Sequence, residues 1–182
     1  RLIDQITVGQ KMGKIPLHLL QEAPVFNYVQ LDIFGPWVVR GEVQKRTTGK
    51  CWGVLFVCLN SRAVHIEFIA GYDTDSFLLG FQRFKSIRGW PAKVYSDPGS
   101  QLVAADKELR SMWKSMDMDK VSKELSLHGT EWLFSPADSP HRQGVVESLI
   151  GSVKRSVKVL YGHGLRLSWQ EYAALGHQVA DL

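Results

Sequence analysis

Three carboxylates have the residue types and positions to form a metal site. Asp32 lies inside a predicted strand, on the side opposite the apolar residues of that strand. Asp97 directly follows a short predicted strand, and Glu147 stands near the start of a predicted helix, just outside its apolar stripe. Carboxylate oxygens are the protein ligands that Mg²⁺ and Mn²⁺ prefer, with water and phosphate oxygens completing the coordination. The set indicates a hard-oxygen site, in which a pair of ions could promote an in-line phosphoryl displacement.

Each of these acids also has an ordinary structural interpretation. Aspartates that follow strands are common turn residues, and a glutamate near a helix N-terminus commonly interacts with the helix dipole. Spacing alone does not separate the three acids from Asp4, Asp73, Asp106 or Asp138. The strands and helices that would carry the three acids therefore decide whether they lie close together.

Hydrophobic periodicity predicts three consecutive strands, followed by alternating helices and strands. The predicted strands are Tyr28–Val39, Cys51–Asn60, Ala63–Ala70, Ala92–Ser96 and Glu131–Phe134. The predicted helices run from the caps Thr74, Asp75 and Ser76 to Gly89, over Ser100–Leu127 with a break near Asp117–Lys120, over Val145–Tyr161, and from about Ser168 onward. The order β-β-β-α-β-α-β-α-α predicts an α/β fold, a mixed sheet with helices on both faces.

The length of 182 residues fits one domain. Residues 1–24 contain scattered glycines and prolines, which predict an N-terminal extension before a domain over 25–182. The longest unbroken apolar run, Val54–Leu59, suits a central strand covered on both faces and is too short to span a membrane. Because the chain begins with Arg1, we expect an excerpt of a longer protein, with any targeting signal outside it.

Two cysteines exclude a disulfide framework. Cys51 and Cys58 lie seven residues apart on one predicted strand, so we expect them on opposite faces, as reduced structural thiols of an intracellular protein. There is no C-x-x-C motif, and no histidine pair has the spacing of a zinc finger. A zinc finger is therefore excluded from this segment.

Positive charge is concentrated in two stretches. The formal net charge is only +4, but residues 83–93 hold four basic residues and no acid, and residues 141–166 hold five basic residues and one acid. Such clusters suit a phosphate backbone, while solubilising surface charge is the alternative interpretation.

The second stretch has a pattern that would place basic side chains beside the predicted acid site. Residues four, four, three and four positions apart share one helix face. The residues with this spacing are Gln143, Glu147, Gly151, Lys154 and Lys158. A basic stripe there could hold substrate phosphates, although a solvated helix face would show the same pattern.

Four motifs resemble the catalytic core of retroviral and retrotransposon integrases. They are Leu31–Pro36, Cys58–Glu67, Ser96–Gln101 and Pro140–Ser148, and they occur in the order of that family over roughly residues 24–165. Each motif alone is moderately specific, and four in order are a strong signal. The stretch Cys58–Glu67 and the long separation before the glutamate look most like the BEL/Pao group of LTR retrotransposons.

The resemblance implies an RNase H-like fold with a mixed five-stranded sheet flanked by helices. It also implies that Asp32, Asp97 and Glu147 form a D,D,E triad that binds Mg²⁺ or Mn²⁺, as two ions. Two departures stand out: 49 residues separate Asp97 from Glu147, more than in the retroviral pattern, and Pro98 stands where the family usually has asparagine.

The resemblance also implies DNA contacts. Gln143 takes the place of a loop glutamine that contacts the DNA end, and Lys154 takes the place of a DNA-contacting lysine. Arg142 and Lys158, in the same basic stretch, complete the DNA-binding set. The stretch Ser135–Gly144 would be a mobile active-site loop, whereas its Ser-Pro pair alone would also fit a helix start.

The first functional hypothesis is an integrase: a polynucleotidyl transferase and endonuclease that processes element DNA ends and joins them to target DNA. The second is a non-catalytic DNA-binding or assembly module, from a decayed or domesticated element. The third is a nuclease of the same fold that cuts without joining. A binder that is salt-sensitive but metal-insensitive would support the second hypothesis.

The resemblance implies further partners and a location. We expect element and target DNA as partners, a homodimer or higher oligomer, no membrane association, and an intracellular protein that acts in the nucleus and occurs within virus-like particles. Trp113, Trp132 and Trp169 could form the dimer surface, while burial in their own core is the alternative.

Overall fold

The computed structural model describes residues 22–41, 48–96, 116–134, 148–149, 151–156, 158–159 and 167–180. Five segments rich in β-branched and aromatic residues form one sheet. The strands are β1 (Tyr28–Arg40), β2 (Thr48–Cys58), β3 (Val64–Ile69), β4 (Lys93–Ser96) and β5 (Glu131–Phe134). The helices are α1 (Thr74–Arg88), α2 (Met118–Ser126), α3 (described at 148–149, 151–156 and 158–159) and α4 (Trp169–Ala180).

The strand order across the sheet is β3-β2-β1-β4-β5. β2 is antiparallel to both β1 and β3, whereas β4 is parallel to β1 and β5 is parallel to β4. Parallel neighbours need a crossover connection, and α1 and α2 lie in the two crossovers. The predicted mixed sheet and the predicted order of its elements are confirmed.

Helices cover both faces of this sheet, as predicted. On one face, which we call the first core, α1 and α2 pack through Phe77, Phe81, Phe84, Val121 and Leu125. On the opposite face, the second core, α3 and α4 pack through Val153, Tyr172 and Leu175. No helix within the described ranges is both long and apolar enough to cross a bilayer.

β2 is an interior strand covered on both faces, as its continuous apolar run predicts. Every residue from Cys51 to Cys58 is buried. Cys51 belongs to the second core and Cys58 to the first, and both are free thiols, so their predicted placement on opposite faces is confirmed. Burial raises the pKa of the Cys51 thiol to about 12, which keeps it protonated and unreactive.

The start of α1 differs from the prediction. The N-cap is Asp73, whose carboxylate accepts a hydrogen bond from the Ser76 amide at 2.9 Å. Thr74 is buried and its hydroxyl oxygen accepts from the Asp117 amide at 2.9 Å, so this side chain ties α1 to the start of α2. Asp117 is the N-cap of α2, at the position of the predicted break.

The end of α1 also differs from its apolar pattern. Phe77, Phe81 and Phe84 are buried, but Ile87 is 57% exposed. At 100° per residue, a residue ten positions after Phe77 lies roughly 80° off the stripe that Phe77 begins. Ile87 therefore leaves the core-facing side before the helix ends.

Of the three tryptophans that could form a dimer surface, Trp132 is buried in the core instead. Trp132 is 8% exposed and packs in the first core, edge-on to Phe77. Trp169 is partly buried against the second core, and Trp113 lies outside the described residues.

A buried charged network ties α1 to β3, the edge strand. Glu67 Oε1 lies 2.9 Å from His65 Nε2, and Glu67 Oε2 accepts from Arg83 Nε at 2.8 Å. Arg83 Nη2 also donates to the Phe68 carbonyl at 2.6 Å. Because Arg83 covers an edge carbonyl, the network also occupies part of the open edge of the sheet.

This network predicts an acid-sensitive contribution to stability. Burial raises the pKa of the Glu67 carboxyl, but the hydrogen bonds and charges of His65 and Arg83 outweigh it and leave the pKa below its ordinary value of 4.5. A carboxyl with a lowered pKa in the folded state stabilises the fold above its unfolded pKa, and this stabilisation is lost as the pH falls through the folded pKa. In urea unfolding, the stability difference between wild type and Glu67→Gln should shrink between pH 7 and about pH 3. An undiminished difference at the acid pH would contradict this prediction.

Candidate active site

Asp32 lies in the middle of β1, where a carboxylate would be costly without a partner. Its register partner is Leu55 of β2, a residue of the second core, whereas the flanking Leu31 and Ile33 belong to the first core. The predicted orientation away from the apolar side of the strand is thus confirmed. The Asp32 side chain is 18% exposed, so it opens to solvent at the margin of the second core.

The chain bends just after Asp32. The register with β2 shifts between Phe34 and Trp37, and Gly35 has a φ of 118°, a conformation that favours glycine. Opposite the bend, a Cβ on Gly53 would lie 2.6 Å from the Phe34 ring. The absence of a side chain at Gly53 lets the Phe34 ring lie against β2 next to the site.

Lys154 of α3 forms an ion pair with Asp32. Its Nζ lies 2.8 Å from Asp32 Oδ2 and 5.7 Å from the centroid of the Phe34 ring. The Lys154 side chain is 41% exposed, so the pair lies at the surface of the second core. Two of the predicted site residues, far apart in sequence, are thereby brought into contact.

The position of α3 follows from its apolar side. Val153 is 5% exposed and belongs to the second core, which confirms one residue of the predicted stripe. Lys154 follows Val153, and at 100° per residue its side chain points to the side of the helix, toward the margin where Asp32 opens. Lys158 is exposed on the same helix. The other predicted site residues lie outside the described part of the chain: Asp97, Arg142, Gln143 and Glu147.

β4 runs parallel to β1 and ends next to Asp32. Leu31 and Ser96 are register partners, and Ser96 is the last residue of β4. In the sequence, Asp32 follows Leu31 and Asp97 follows Ser96. The predicted strand is confirmed over Lys93–Ser96.

A tryptophan of β5 holds the end of β4. Trp132 Nε1 donates a hydrogen bond to Ser96 Oγ at 3.0 Å, and both residues are buried. No sequence pattern indicates this contact. Two strands that are both predicted correctly still leave their register unknown, and this contact depends on the register Val94↔Trp132.

The contact predicts a measurable loss in Trp132→Phe. Phenylalanine keeps most of the ring but leaves the buried Ser96 hydroxyl without its donor, so the free energy of unfolding should fall by about 1–2 kcal/mol. Urea denaturation measures the loss. Trp90→Phe, at a 37% exposed tryptophan, is the control and should cost less than about 0.5 kcal/mol. Equal losses in the two variants would contradict the role of the indole donor.

Tyr72 is a buried tyrosine of the first core, in the short connection before α1. Burial and, after it, the negative charge of Asp32 raise the pKa of its phenol, so the hydroxyl stays neutral. Tyr72 packs edge-on against Trp52 with ring centroids 5.9 Å apart. No periodicity marks it, because it lies in the short connection before Asp73.

The chemistry of Asp32 fits a hard divalent cation. It supplies a partly solvated carboxylate, the ligand type that Mg²⁺ combines with water and phosphate oxygens. Within the described ranges, no group of three or more His, Cys, Asp or Glu side chains could hold a metal ion. Two of the three predicted ligands, Asp97 and Glu147, lie outside those ranges.

The comparisons with known proteins are structural. No protein-family model and no curated protein matches the sequence. A chain of the simian T-cell lymphotropic virus intasome in complex with the PP2A regulatory subunit B56 gamma is similar, with a TM-score of 0.58 and 13% identity over 94% of this chain. This chain spans about half, 52%, of that viral chain.

Two further similar structures are those of the HTLV-2 integrase catalytic core domain in complex with magnesium, in a dimeric and a trimeric form. Each has a TM-score of 0.51 and 12% identity, and the match covers 86% and 88% of this chain and 85% and 86% of those chains. At these identities the likeness concerns the fold. The chain has the RNase H-like fold of retroviral integrase catalytic cores.

Proposed function

We propose that the chain is the catalytic core of a DDE-type integrase, a DNA strand transferase with endonuclease activity. One observation carries the proposal: Leu31 and Ser96 are register partners on parallel strands, and each directly precedes a predicted catalytic aspartate. Parallel strands in register present successive residues at the same level. The register therefore supports Asp32 and Asp97 as a carboxylate pair.

Glu147 is the third proposed ligand. It directly precedes 148, the first described helical residue of α3, and lies seven residues before Lys154. Residues seven apart lie on nearly the same face of a helix, since two turns take 7.2 residues. The contact of Lys154 with Asp32 supports this face of α3 as the one turned toward the site.

The proposed reaction needs two displacements at phosphorus. Water first attacks a phosphodiester near the 3′ end of the element DNA, and the freed 3′-hydroxyl then attacks a target phosphodiester. Divalent ions bound by the three carboxylates would activate the attacking oxygen and stabilise the leaving oxygen. β1 holds Asp32 in place, so that little reorganisation of this carboxylate is needed when substrate binds.

The DNA-binding part of the proposal rests on charge. Lys154 and Lys158 are basic side chains on the described part of α3, and Arg142 and Gln143 precede it in the sequence. Contacts to phosphates would give binding that depends weakly on sequence and strongly on salt.

The finer identity of the chain is part of the proposal. The stretch Cys58–Glu67 and the separation of Asp97 from Glu147 support a BEL/Pao-type LTR retrotransposon. We further propose a domain over 25–182 after an extension over 1–24, self-association as a dimer or higher oligomer, and an intracellular site of action on nuclear DNA.

A joining assay with separated products tests the proposal. A short duplex with a recessed 3′-hydroxyl is incubated with a supercoiled plasmid and Mg²⁺ or Mn²⁺, and covalent joining is distinguished from nicking on a gel. The proposal expects joined products that EDTA abolishes. Nicks without joining would favour the nuclease, and salt-sensitive binding without any cleavage would favour the non-catalytic module.

A further inference from the structure

The Lys154 ammonium contacts one of the two Asp32 oxygens that could bind a metal ion. Asp32 has two carboxylate oxygens, and one of them, Oδ2, lies 2.8 Å from Lys154 Nζ. A divalent ion coordinated by the same carboxylate would come within about 4–5 Å of this ammonium. Two cations at that distance in a partly buried site repel each other strongly.

The side chain of Lys154 has room to leave. It is 41% exposed, against 18% for Asp32, so the lysine is the more solvent-accessible member of the pair. Its neighbour on the other side is the Phe34 ring, which attracts the ammonium but does not enclose it. A lysine has a flexible four-carbon stem with a strongly hydrated charge, which can turn to a nearby phosphate.

Resting on the proposed function, we infer that Lys154 couples metal binding to DNA binding. Without metal, its ammonium neutralises Asp32. When a divalent ion binds Asp32, Lys154 leaves the carboxylate and becomes available to a DNA phosphate. The divalent ion and DNA then strengthen each other's binding, because both favour the arrangement in which the Asp32–Lys154 ion pair is open.

Mn²⁺ binding in the absence of DNA tests the competition directly. Isothermal titration calorimetry at low ionic strength is carried out on the full chain and on Lys154→Met, which keeps the length of the side chain and removes its charge. Removal of the Lys154 charge, which competes with Mn²⁺ for Asp32, should lower the Kd for Mn²⁺ about two- to fivefold. A Kd that is unchanged or higher in Lys154→Met would overturn the inference.

Arg155→Met is the matched control. Arg155 is exposed on the same helix, and its guanidinium donates to the Gly151 carbonyl and the Ser152 hydroxyl of that helix. The substitution removes the same charge at the neighbouring position, so it should change the Kd for Mn²⁺ by less than about 1.5-fold. An equal effect of both substitutions would mean general electrostatics and would overturn the competition at Asp32.

Asp32→Asn separates this inference from the proposed function. If it weakens Mn²⁺ binding at least about tenfold while Lys154→Met has no effect, the metal site stands and the coupling is wrong. If Asp32→Asn binds Mn²⁺ like wild type, the proposed metal site itself is wrong.

DNA binding supplies the reciprocal readout. Fluorescence anisotropy of a labelled duplex should show that Mn²⁺ strengthens DNA binding by wild type more than by Lys154→Met, after both are corrected for salt. An equal gain in the two proteins would overturn the coupling.

Discussion

Asp32→Asn should abolish metal-dependent strand joining and leave the fold intact. The amide keeps the shape of the carboxylate but removes the charge that the proposed metal ligand needs, so activity should fall at least about a hundredfold. The variant should remain folded, because Asp32 is not part of either apolar core and is already partly solvated. Product formation on a gel measures the loss, and circular dichroism reports the fold.

Asp119→Asn is the control for this prediction. Asp119 is an exposed acid in the first turn of α2, which packs on the opposite face of the sheet. The same chemical change on the opposite face should leave strand joining within about twofold of wild type. Full activity in Asp32→Asn would contradict the placement of the site on β1.

Phe84→Ala should produce the largest loss of stability. Phe84 is fully buried and stacks on Phe56 with ring centroids 4.1 Å apart, where α1 meets β2. The rings of Phe26, His65 and Phe81 also pack against Phe84, with ring centroids 5.3–5.7 Å from its own. Truncation leaves a cavity that rigid aromatic neighbours cannot fill, so the free energy of unfolding should fall by about 3–5 kcal/mol.

Ile87→Ala, one turn later on α1, provides the comparison. Ile87 is 57% exposed, so its truncation should change the free energy of unfolding by about 0.5 kcal/mol or less. Urea denaturation of both variants measures the difference. A loss below about 1 kcal/mol in Phe84→Ala would contradict the position of α1 on the sheet.

Periodicity predicted the described elements and their order. The run Val54–Leu59 indicated a strand covered on both faces, because such a strand needs no polar alternation, and β2 is such a strand, between β3 and β1. Local signals placed ends less well: Asp73, rather than Thr74, caps α1 because the Thr74 hydroxyl is engaged with Asp117 across a long sequence separation.

The site could be predicted only in part, because its contacts depend on tertiary register. The side of β1 that carries Asp32 follows from alternation, and the structure confirms it. The ion pair between Asp32 and Lys154 and the hydrogen bond from Trp132 to Ser96 join residues that no local pattern connects. These contacts follow from how α3 docks on the second core and from the pairing of β4 with β5.

A strand-cleavage and joining assay on a branched DNA that mimics the integration product tests the central claim most directly. It would be performed with Mg²⁺, with Mn²⁺ and with EDTA, on wild type and on Asp97→Asn. The proposed function predicts metal-dependent joining by wild type that disappears in EDTA and in the variant. DNA that is bound but unaltered in every metal, or joining that survives in Asp97→Asn, would contradict it.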